Sequence, residues 1–253
     1  MLPLMLREQE NGLPLFRFVA IAGMEGVVHA VTTRHGGVSQ GTYASLNLGY
    51  SCGDDPAAVA ANLERLRRAL GLKRLVWAQQ VHGRQMLAVD SQESGLIGQA
   101  DGLATGQPGV GLLIKQADCQ AVVLAAPSRV VVANLHIGWR GNVQNLARRG
   151  VEFMGERYGV EPSEIWAGIS PSLGPCCAEF VNHATELPKD FLRYHLWGNN
   201  FDLWQVTMDQ LTEAGVPVAQ IEMSAMCSRC GGQFFSYRRE GATGRFGTVV
   251  ALR

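Results

Sequence analysis

The sequence lacks an excess of charge, a dense set of cysteines and a long apolar run. Its 253 residues contain 22 basic and 22 acidic side chains, so the formal net charge is zero. Proteins that bind nucleic acid or an anionic membrane surface usually carry a basic excess, so neither partner is expected. Six cysteines are too few for a disulfide scaffold. Residues 1–6 are apolar but too short for a secretory signal, which predicts a cytoplasmic protein.

Apolar residues make up 47% of the chain, enough to bury a sizeable core without disulfides. Repeats, low-complexity tracts and Pro/Ser linkers are missing, so we expect a single domain over residues 1–253. Short apolar runs and amphipathic segments alternate along the sequence. This pattern predicts an α+β fold, a layered domain of mixed β-sheets packed with helices.

Apolar, β-branched runs and helical spacing locate the main elements. A helix is expected after Asp55, where Pro56 can occupy its first turn and Gly71 can end it. Further helices are expected over residues 142–158 and 201–214. Strands are expected over residues 27–33, 75–81, 110–114, 121–125, 130–135, 165–169 and 248–252.

Three metal-binding side chains lie at or just beyond the ends of predicted strands. These are His82, Cys119 and His136. Two imidazoles and a thiolate are good Zn²⁺ ligands, and three protein ligands leave the fourth tetrahedral position open for water. On spacing alone the pattern is weak, because two core histidines and an inert buried cysteine would look the same.

The sequence around these ligands resembles the YfiH/laccase-domain family, also called the multicopper polyphenol oxidase or purine nucleoside phosphorylase family. The resemblance runs from about residue 30 to the C-terminus, and its motifs occur in the order known for the family. They are TTRHGGVS (32–39), SLNLG (45–49), QQVHG (79–83), ADG (100–102), ADC (117–119), HIGWRG (136–141) and FSYRR (235–239).

The resemblance implies a zinc enzyme that acts on small purine nucleosides and phosphate. Its expected reactions are phosphorolysis of adenosine, inosine and S-methyl-5′-thioadenosine, and deamination of adenosine. His82, Cys119 and His136 correspond to the family's zinc ligands, and Cu²⁺ is the alternative metal. Ile137 departs from the alanine usual in the family, beside one of the ligands.

Arg34 and Asn47 are further catalytic candidates. Arg34 lies in a glycine-rich loop, where it could reach the phosphate or ribose of a substrate or be an ordinary surface side chain. A buried Asn47 would need hydrogen-bond partners, which a substrate or a structural turn could supply equally.

The residues next to these motifs offer further polar groups. Asp118 could orient a metal-binding histidine by accepting its free N–H, or it could cap a turn. Arg238, Arg239 and Arg245 form the densest positive cluster, which could bind phosphate or be structural.

Cys227 and Cys230 form a Cys-x-x-Cys pair, which is typical of redox and metal sites. A zinc knuckle needs a second pair, and the βαβ context of a thioredoxin-like motif is missing. Cys176 and Cys177 could join the pair in space, but no sequence signal requires it.

Three other functions stay open at this point. A copper-dependent polyphenol oxidase is disfavoured because a multicopper cluster needs more imidazoles than six histidines readily provide. A cysteine hydrolase would use Cys119 as nucleophile and His82 or His136 as its base. The third alternative is a ligand-binding protein without turnover.

Overall fold

The computed structural model describes residues 5–90, 92 and 94–253. Residues 1–4 of the apolar N-terminal segment lie outside the described part. The described chain forms an α+β fold of two mixed sheets packed with helices, as predicted. None of the helices in these ranges is both long and apolar enough to cross a membrane.

Thirteen strands and seven α-helices are present in the described residues. The strands are β1 Met5–Glu10, β2 Leu13–Phe18, β3 Val27–Thr32, β4 Arg74–Gln79, β5 Met86–Ala88, β6 Gly95–Gln99, β7 Gly102–Thr105, β8 Val110–Gln116, β9 Gln120–Ala126, β10 Val131–Ile137, β11 Trp166–Ile169, β12 Ile221–Met223 and β13 Phe246–Leu252. The helices are α1 Val19–Ala22, α2 Pro56–Ala69, α3 Trp139–Val143, α4 Leu146–Tyr158, α5 His183–Glu186, α6 Leu203–Glu213 and α7 Tyr237–Glu240.

The strands divide into a seven-stranded and a six-stranded sheet. The first has the order β1-β2-β3-β13-β8-β4-β6, and the second has the order β12-β11-β9-β10-β7-β5. In β10, Val131, Ala133 and Leu135 pack against helices, whereas Val132 packs into the core between the sheets. Side chains alternate along a strand, so His136 falls on the same side as Val132, towards the other sheet.

Helix α2 forms where the sequence predicts it. The Asp55 carboxylate accepts a hydrogen bond from the Ala57 N–H at 2.9 Å, and Pro56 occupies the first turn. Its apolar face, with Leu63 and Leu66, is buried against the outer face of the seven-stranded sheet. Gly71 follows the helix with a φ of 64°, a left-handed conformation that glycine adopts without strain.

The predicted helix over residues 142–158 is confirmed over Leu146–Tyr158, but its start is wrong, because the chain forms two helices that are separated at Asn145. Asn145 has a φ of 54°, and its side-chain oxygen accepts the Arg148 N–H at 3.2 Å. Asparagine tolerates the left-handed region and caps helices well, so it ends α3 and starts α4. Apolar periodicity alone did not reveal this break.

Six strands, β1, β2, β5, β6, β7 and β12, were not predicted. Strands β1 and β2 form an antiparallel hairpin in which Met5 pairs with Phe18 and Glu10 with Leu13. Strand β1 is rich in polar residues, so it lacks the apolar pattern by which strands are predicted. Strands β5 and β12 have three residues each, too few for a period-two pattern to be recognised.

Candidate metal centre

The fold brings His82, Cys119 and His136 together from three separate segments. His82 follows β4, Cys119 lies in the turn between β8 and β9, and His136 is on β10. Their ligand atoms all lie within 4.8 Å of one another. The Cys119 Sγ is 3.9 Å from the His82 Nε2, and the two imidazole ring centroids are 4.9 Å apart. The spacing therefore suits three ligands of one metal ion.

Pairing of β9 with β10 places two of these residues side by side. His136 pairs with Ala121 and Ile137 with Gln120, so Cys119 comes just beyond the last pair. The backbone is left-handed at His82, with a φ of 58°, and at Asp118, with a φ of 96°. Such conformations cost free energy for residues with a Cβ atom, and they persist only where surrounding contacts impose them.

Asp101 supplies several of these contacts. Its buried carboxylate accepts the backbone N–H groups of Val81, His82 and Gly83 at 3.2, 3.0 and 2.7 Å. One of its oxygens also lies 2.8 Å from the His136 Nδ1. With Nδ1 bonded to this carboxylate, the Nε2 of His136 is left to bind a metal.

Of the two roles left open for Asp118, orienting a histidine or capping a turn, the structure shows no contact for the first in the described residues. Its carboxylate instead accepts the Ser228 hydroxyl at 2.7 Å and the Arg238 N–H at 2.6 Å. These bonds join the Cys119 turn to the C-terminal segment. Asp101 lies in the ADG motif, but only long-range strand pairing shows that it reaches His136.

The charges of Cys119 and His136 are coupled. Burial acts to raise the pKa of Cys119, but His136 and His82 together lower it to about 6. Burial acts to lower the pKa of His136, but the Cys119 thiolate and the Asp101 carboxylate raise it to about 9. The metal-free pair therefore favours thiolate and imidazolium, and a metal ion would displace the imidazolium proton.

Gly138 leaves the space that these ligands occupy. A Cβ atom added there would lie 2.9 Å from the Cys119 Sγ and 3.2 Å from the His82 Cδ2. A side chain at this position would push directly on two ligands. The glycine of the HIGWRG motif is thus a steric requirement of the site.

The three ligands open into a cavity of about 930 Å³. Its walls combine aromatic rings with cationic side chains and with the carboxylates of Asp118, Glu179 and Glu186, a mixture that suits a small polar ligand with a flat ring. The aromatic and cationic lining residues are Tyr50, Trp77, Trp139, Phe180, Tyr237, Lys115, Arg238 and Arg245.

Arg34 is placed behind the wall of this cavity. Its guanidinium pairs with Glu240 at 2.6 Å, donates to the Ala44 carbonyl at 3.1 Å and stacks 4.6 Å from the Phe235 ring centroid. These contacts connect Arg34 to α7, whose Tyr237 and Arg238 line the cavity. A catalytic role for Arg34 stays a prediction.

Asn47 is fully buried and orders the SLNLG turn. Its amide donates to Asp54 at 2.9 Å, and its oxygen accepts the N–H groups of Gly49 at 2.9 Å and Arg245 at 2.8 Å. The hydrogen bonds expected for a buried asparagine are thus supplied by the protein. Its catalytic role also stays a prediction.

The cluster of three arginines is divided by the fold. Arg239 donates to four backbone carbonyls, those of Ser228, Arg229, Gly231 and Phe234. Arg238 and Arg245 line the cavity while their guanidinium groups also donate to carbonyls of nearby turns. Only the latter two are therefore positioned to meet a ligand.

Sequence reasoning missed Lys115, which the apolar strand β8 carries into the cavity wall. Its Nζ lies 4.8 Å from the Trp77 ring centroid and 6.0 Å from that of Tyr50. Burial lowers its pKa to about 8, although the neighbouring Cys52 acts to raise it. A single lysine in the run VGLLIKQ is the signal that could have identified it.

Comparison with known proteins matches residues 28–253 to the family described as multi-copper polyphenol oxidoreductase laccase. The purine nucleoside phosphorylase YlmD of Geobacillus stearothermophilus is 35% identical, with 90% of this chain and 91% of that protein covered. A purine nucleoside phosphorylase of Deinococcus radiodurans is 38% identical, with 95% and 94% covered.

Solved structures show the same similarity in three dimensions. The crystal structure of Geobacillus YlmD has a TM-score of 0.89 at 33% identity and covers 98% of this chain and 99% of that one. The Bacillus licheniformis hypothetical protein YfiH has a TM-score of 0.86 at 28% identity, with 95% and 96% covered.

Proposed function

The chain belongs to the laccase-like YfiH family, and from this premise we propose that it is a zinc-dependent purine nucleoside enzyme. Its proposed reactions are phosphorolysis of adenosine, inosine and S-methyl-5′-thioadenosine, and deamination of adenosine. The observation that carries the proposal is the grouping of His82, Cys119 and His136 in the wall of a cavity that aromatic and charged side chains line. The names of its relatives support the purine nucleoside substrate.

The donor set fits Zn²⁺. Two imidazoles and a thiolate within 4.8 Å of one another match its preferences, and Gly138 leaves room around them. A Zn²⁺ ion bound by these residues would supply a Lewis acid that stabilises negative charge developing on oxygen. Asp101 would hold the His136 ring and the His82 turn in place for it.

The cavity wall offers complementary contacts for both parts of a nucleoside reaction. Tyr50, Trp77 and Phe180 present aromatic surface for a purine, and stacking of a base on such a ring is worth about 1–3 kcal/mol. Lys115 and Arg238 supply positive charge for phosphate. A cavity of about 930 Å³ accommodates a nucleoside together with phosphate.

In phosphorolysis, a phosphate oxygen forms a bond to C1′ of the ribose while the C1′–N9 bond breaks, and the purine leaves with the electron pair of that bond and takes up the proton that the hydrogen phosphate loses. The positive charges of Lys115 and Arg238 would hold the negatively charged phosphate in place, and the aromatic rings of the cavity wall would orient the purine. In deamination, water adds at C6 and ammonia leaves. The two reactions take place at different atoms, C1′ of the ribose and C6 of the purine.

Arg34 and Asn47 would then act through their neighbours. Arg34 pairs with Glu240 at the end of α7, which carries Arg238. Asn47 accepts the backbone N–H of Arg245 at 2.8 Å. We propose that both residues position cavity-lining arginines.

Product analysis tests the proposal. The purified protein is incubated with each nucleoside, with and without phosphate, before and after a chelator and after zinc is restored. Adenine or hypoxanthine should appear only with phosphate, together with ribose 1-phosphate, or with 5-methylthioribose 1-phosphate when the substrate is S-methyl-5′-thioadenosine; inosine should form from adenosine without phosphate. Zinc should restore the chelated protein but not Cys119→Ala. Absence of both product types would refute the proposal, and full turnover after metal removal would refute its zinc dependence.

The thiolate–imidazolium pair favours one second candidate, a hydrolase with Cys119 as nucleophile. Such an enzyme would keep its activity in chelator and lose it on alkylation of Cys119.

A multicopper oxidase gains no support, because neither group of potential ligands in the described residues contains more than two histidines. Metal analysis with a phenol-oxidation assay tests that alternative. The cytoplasmic location stays a prediction.

A further inference from the structure

Four cysteines outside the first site lie together on two turns. Cys176 and Cys177 are in the turn that follows β11, and Cys227 and Cys230 are in the turn that follows β12. Their sulfur atoms all lie within 4.8 Å of one another. The Cys230 sulfur is 3.6 Å from that of Cys176 and 3.5 Å from that of Cys177.

Parallel strand pairing brings the two turns together. Strand β11 pairs with β12, with Ala167 opposite Ile221. The pairing continues beyond the strands, where Ser172 pairs with Cys227: the Ser172 N–H donates to the Met226 carbonyl at 3.2 Å, and the Ser228 N–H donates to the Ser172 carbonyl at 2.9 Å. The cysteine pairs are thus fixed beside each other by backbone hydrogen bonds that do not depend on the sulfur atoms.

Two of the four sulfur atoms accept hydrogen bonds from N–H groups of neighbouring residues. The Gly174 N–H donates to the Cys227 Sγ at 3.4 Å, and the Arg229 guanidinium donates to the Cys177 Sγ at 3.4 Å. N–H groups directed at sulfur stabilise the thiolate form that a metal requires.

We propose that Cys176, Cys177, Cys227 and Cys230 bind a second, structural Zn²⁺ ion. Tetrahedral zinc with Zn–S bonds of about 2.3 Å separates its sulfurs by about 3.8 Å, close to the separations here. Four thiolates fill the coordination shell, so this site has no open position for substrate. A mutual grouping of four sulfurs also suits a metal better than a disulfide, which joins one pair at about 2.0 Å.

The second metal would stabilise one wall of the cavity. The Arg238 guanidinium donates to the Cys177 carbonyl at 3.1 Å, and the Ser228 hydroxyl donates to Asp118 at 2.7 Å. Asp118 precedes Cys119, so the four-cysteine site and the first site share this connection. The effect on substrate binding rests on the proposed function, whereas the metal site itself does not.

Metal content tests the proposal independently of activity. Purified wild-type protein should contain two zinc ions per chain, one for each group of ligands. A Cys227→Ser/Cys230→Ser variant should contain one, and a His82→Ala/Cys119→Ala variant should also contain one. Cys52→Ser, a matched removal of a cysteine outside both groups, should keep two. One zinc ion in the wild type and in Cys227→Ser/Cys230→Ser would overturn the proposal.

Cobalt spectroscopy covers the case in which the double serine variant does not fold. The His82→Ala/Cys119→Ala variant loaded with Co²⁺ should show the intense thiolate-to-cobalt charge-transfer bands of tetrahedral thiolate coordination. Six titratable thiols per wild-type chain are expected after denaturation in chelator without reductant. Absence of the cobalt bands, or a deficit of two thiols that signals a disulfide, would refute the second metal site whether or not nucleosides are turned over.

Discussion

Substitution of Gly138 by alanine tests the steric basis of the first metal site. The added Cβ atom would lie 2.9 Å from the Cys119 Sγ, whereas ordinary contact begins at 3.4 Å, so the sulfur or the backbone must move by about 0.5 Å. Ligand distances in metal sites tolerate deviations of about 0.2 Å. We therefore expect zinc affinity to fall about 10–100-fold, the range found when the support of a ligand is lost.

Gly141→Ala is the matched control in the same motif. Its added Cβ atom meets only ordinary contacts, the nearest at 3.5 Å from the Ile137 Cγ2. Both variants are titrated with Zn²⁺ in competition with a chromogenic chelator, and thermal unfolding of the metal-free proteins detects any general loss of stability. Equal zinc affinity in Gly138→Ala, Gly141→Ala and the wild type would show that the ligands do not meet where the structure places them.

Three further predictions follow from buried charged or titratable groups. Asp101→Asn removes the charge that orients His136, so competition titration should show zinc affinity lowered by about 10–100-fold; unchanged affinity would contradict that role. Burial, with a smaller effect of Arg17, lowers the pKa of His29 to about 3. Between about pH 6.5 and pH 3 the His29 imidazole therefore binds a proton only in the unfolded chain, and the free energy of unfolding decreases as the pH is lowered through this range. Urea unfolding of wild type and His29→Gln should differ by about 2 kcal/mol in the loss between pH 7 and 5, and equal losses would refute this origin. Lys115, with a pKa of about 8, loses its charge above that pH, so the KM for phosphate of the wild type should rise there. In steady-state assays, Lys115→Gln should have a raised KM for phosphate that does not change over this pH range. An unchanged KM in the variant would exclude Lys115 from phosphate binding.

Local signals predicted much of the framework. Asp55 and Pro56 located the start of α2, and alternation or continuous apolar runs located the central strands β8, β9 and β10. These features act within a few residues, where capping and burial of one face dominate the free energy. A local effect also explains the error at Asn145. The capping side chain of Asn145 starts a new helix there, although the apolar periodicity of the segment continues through this position.

The three residues that the structure brings together in the first site were also predicted from the sequence. His82, Cys119 and His136 follow or end strands, and the motifs around them specify both the ligands and Gly138. A strand end is a rigid support, which is why the sequence could predict candidate ligands there. It did not predict the side chains that contact these ligands.

The groups that support these candidate ligands come from segments far apart in the chain. Asp101 reaches His136 through the pairing of β7 with β10, and Lys115 enters the cavity because β8 lies beside β4. The cysteine turns meet because β11 and β12 run parallel. Sequence determined the residue types and local conformations, since these depend on neighbours in the chain. The contacts of Asp101, the cavity and the four-cysteine group depend on strand order and register, which buried contacts between distant segments select.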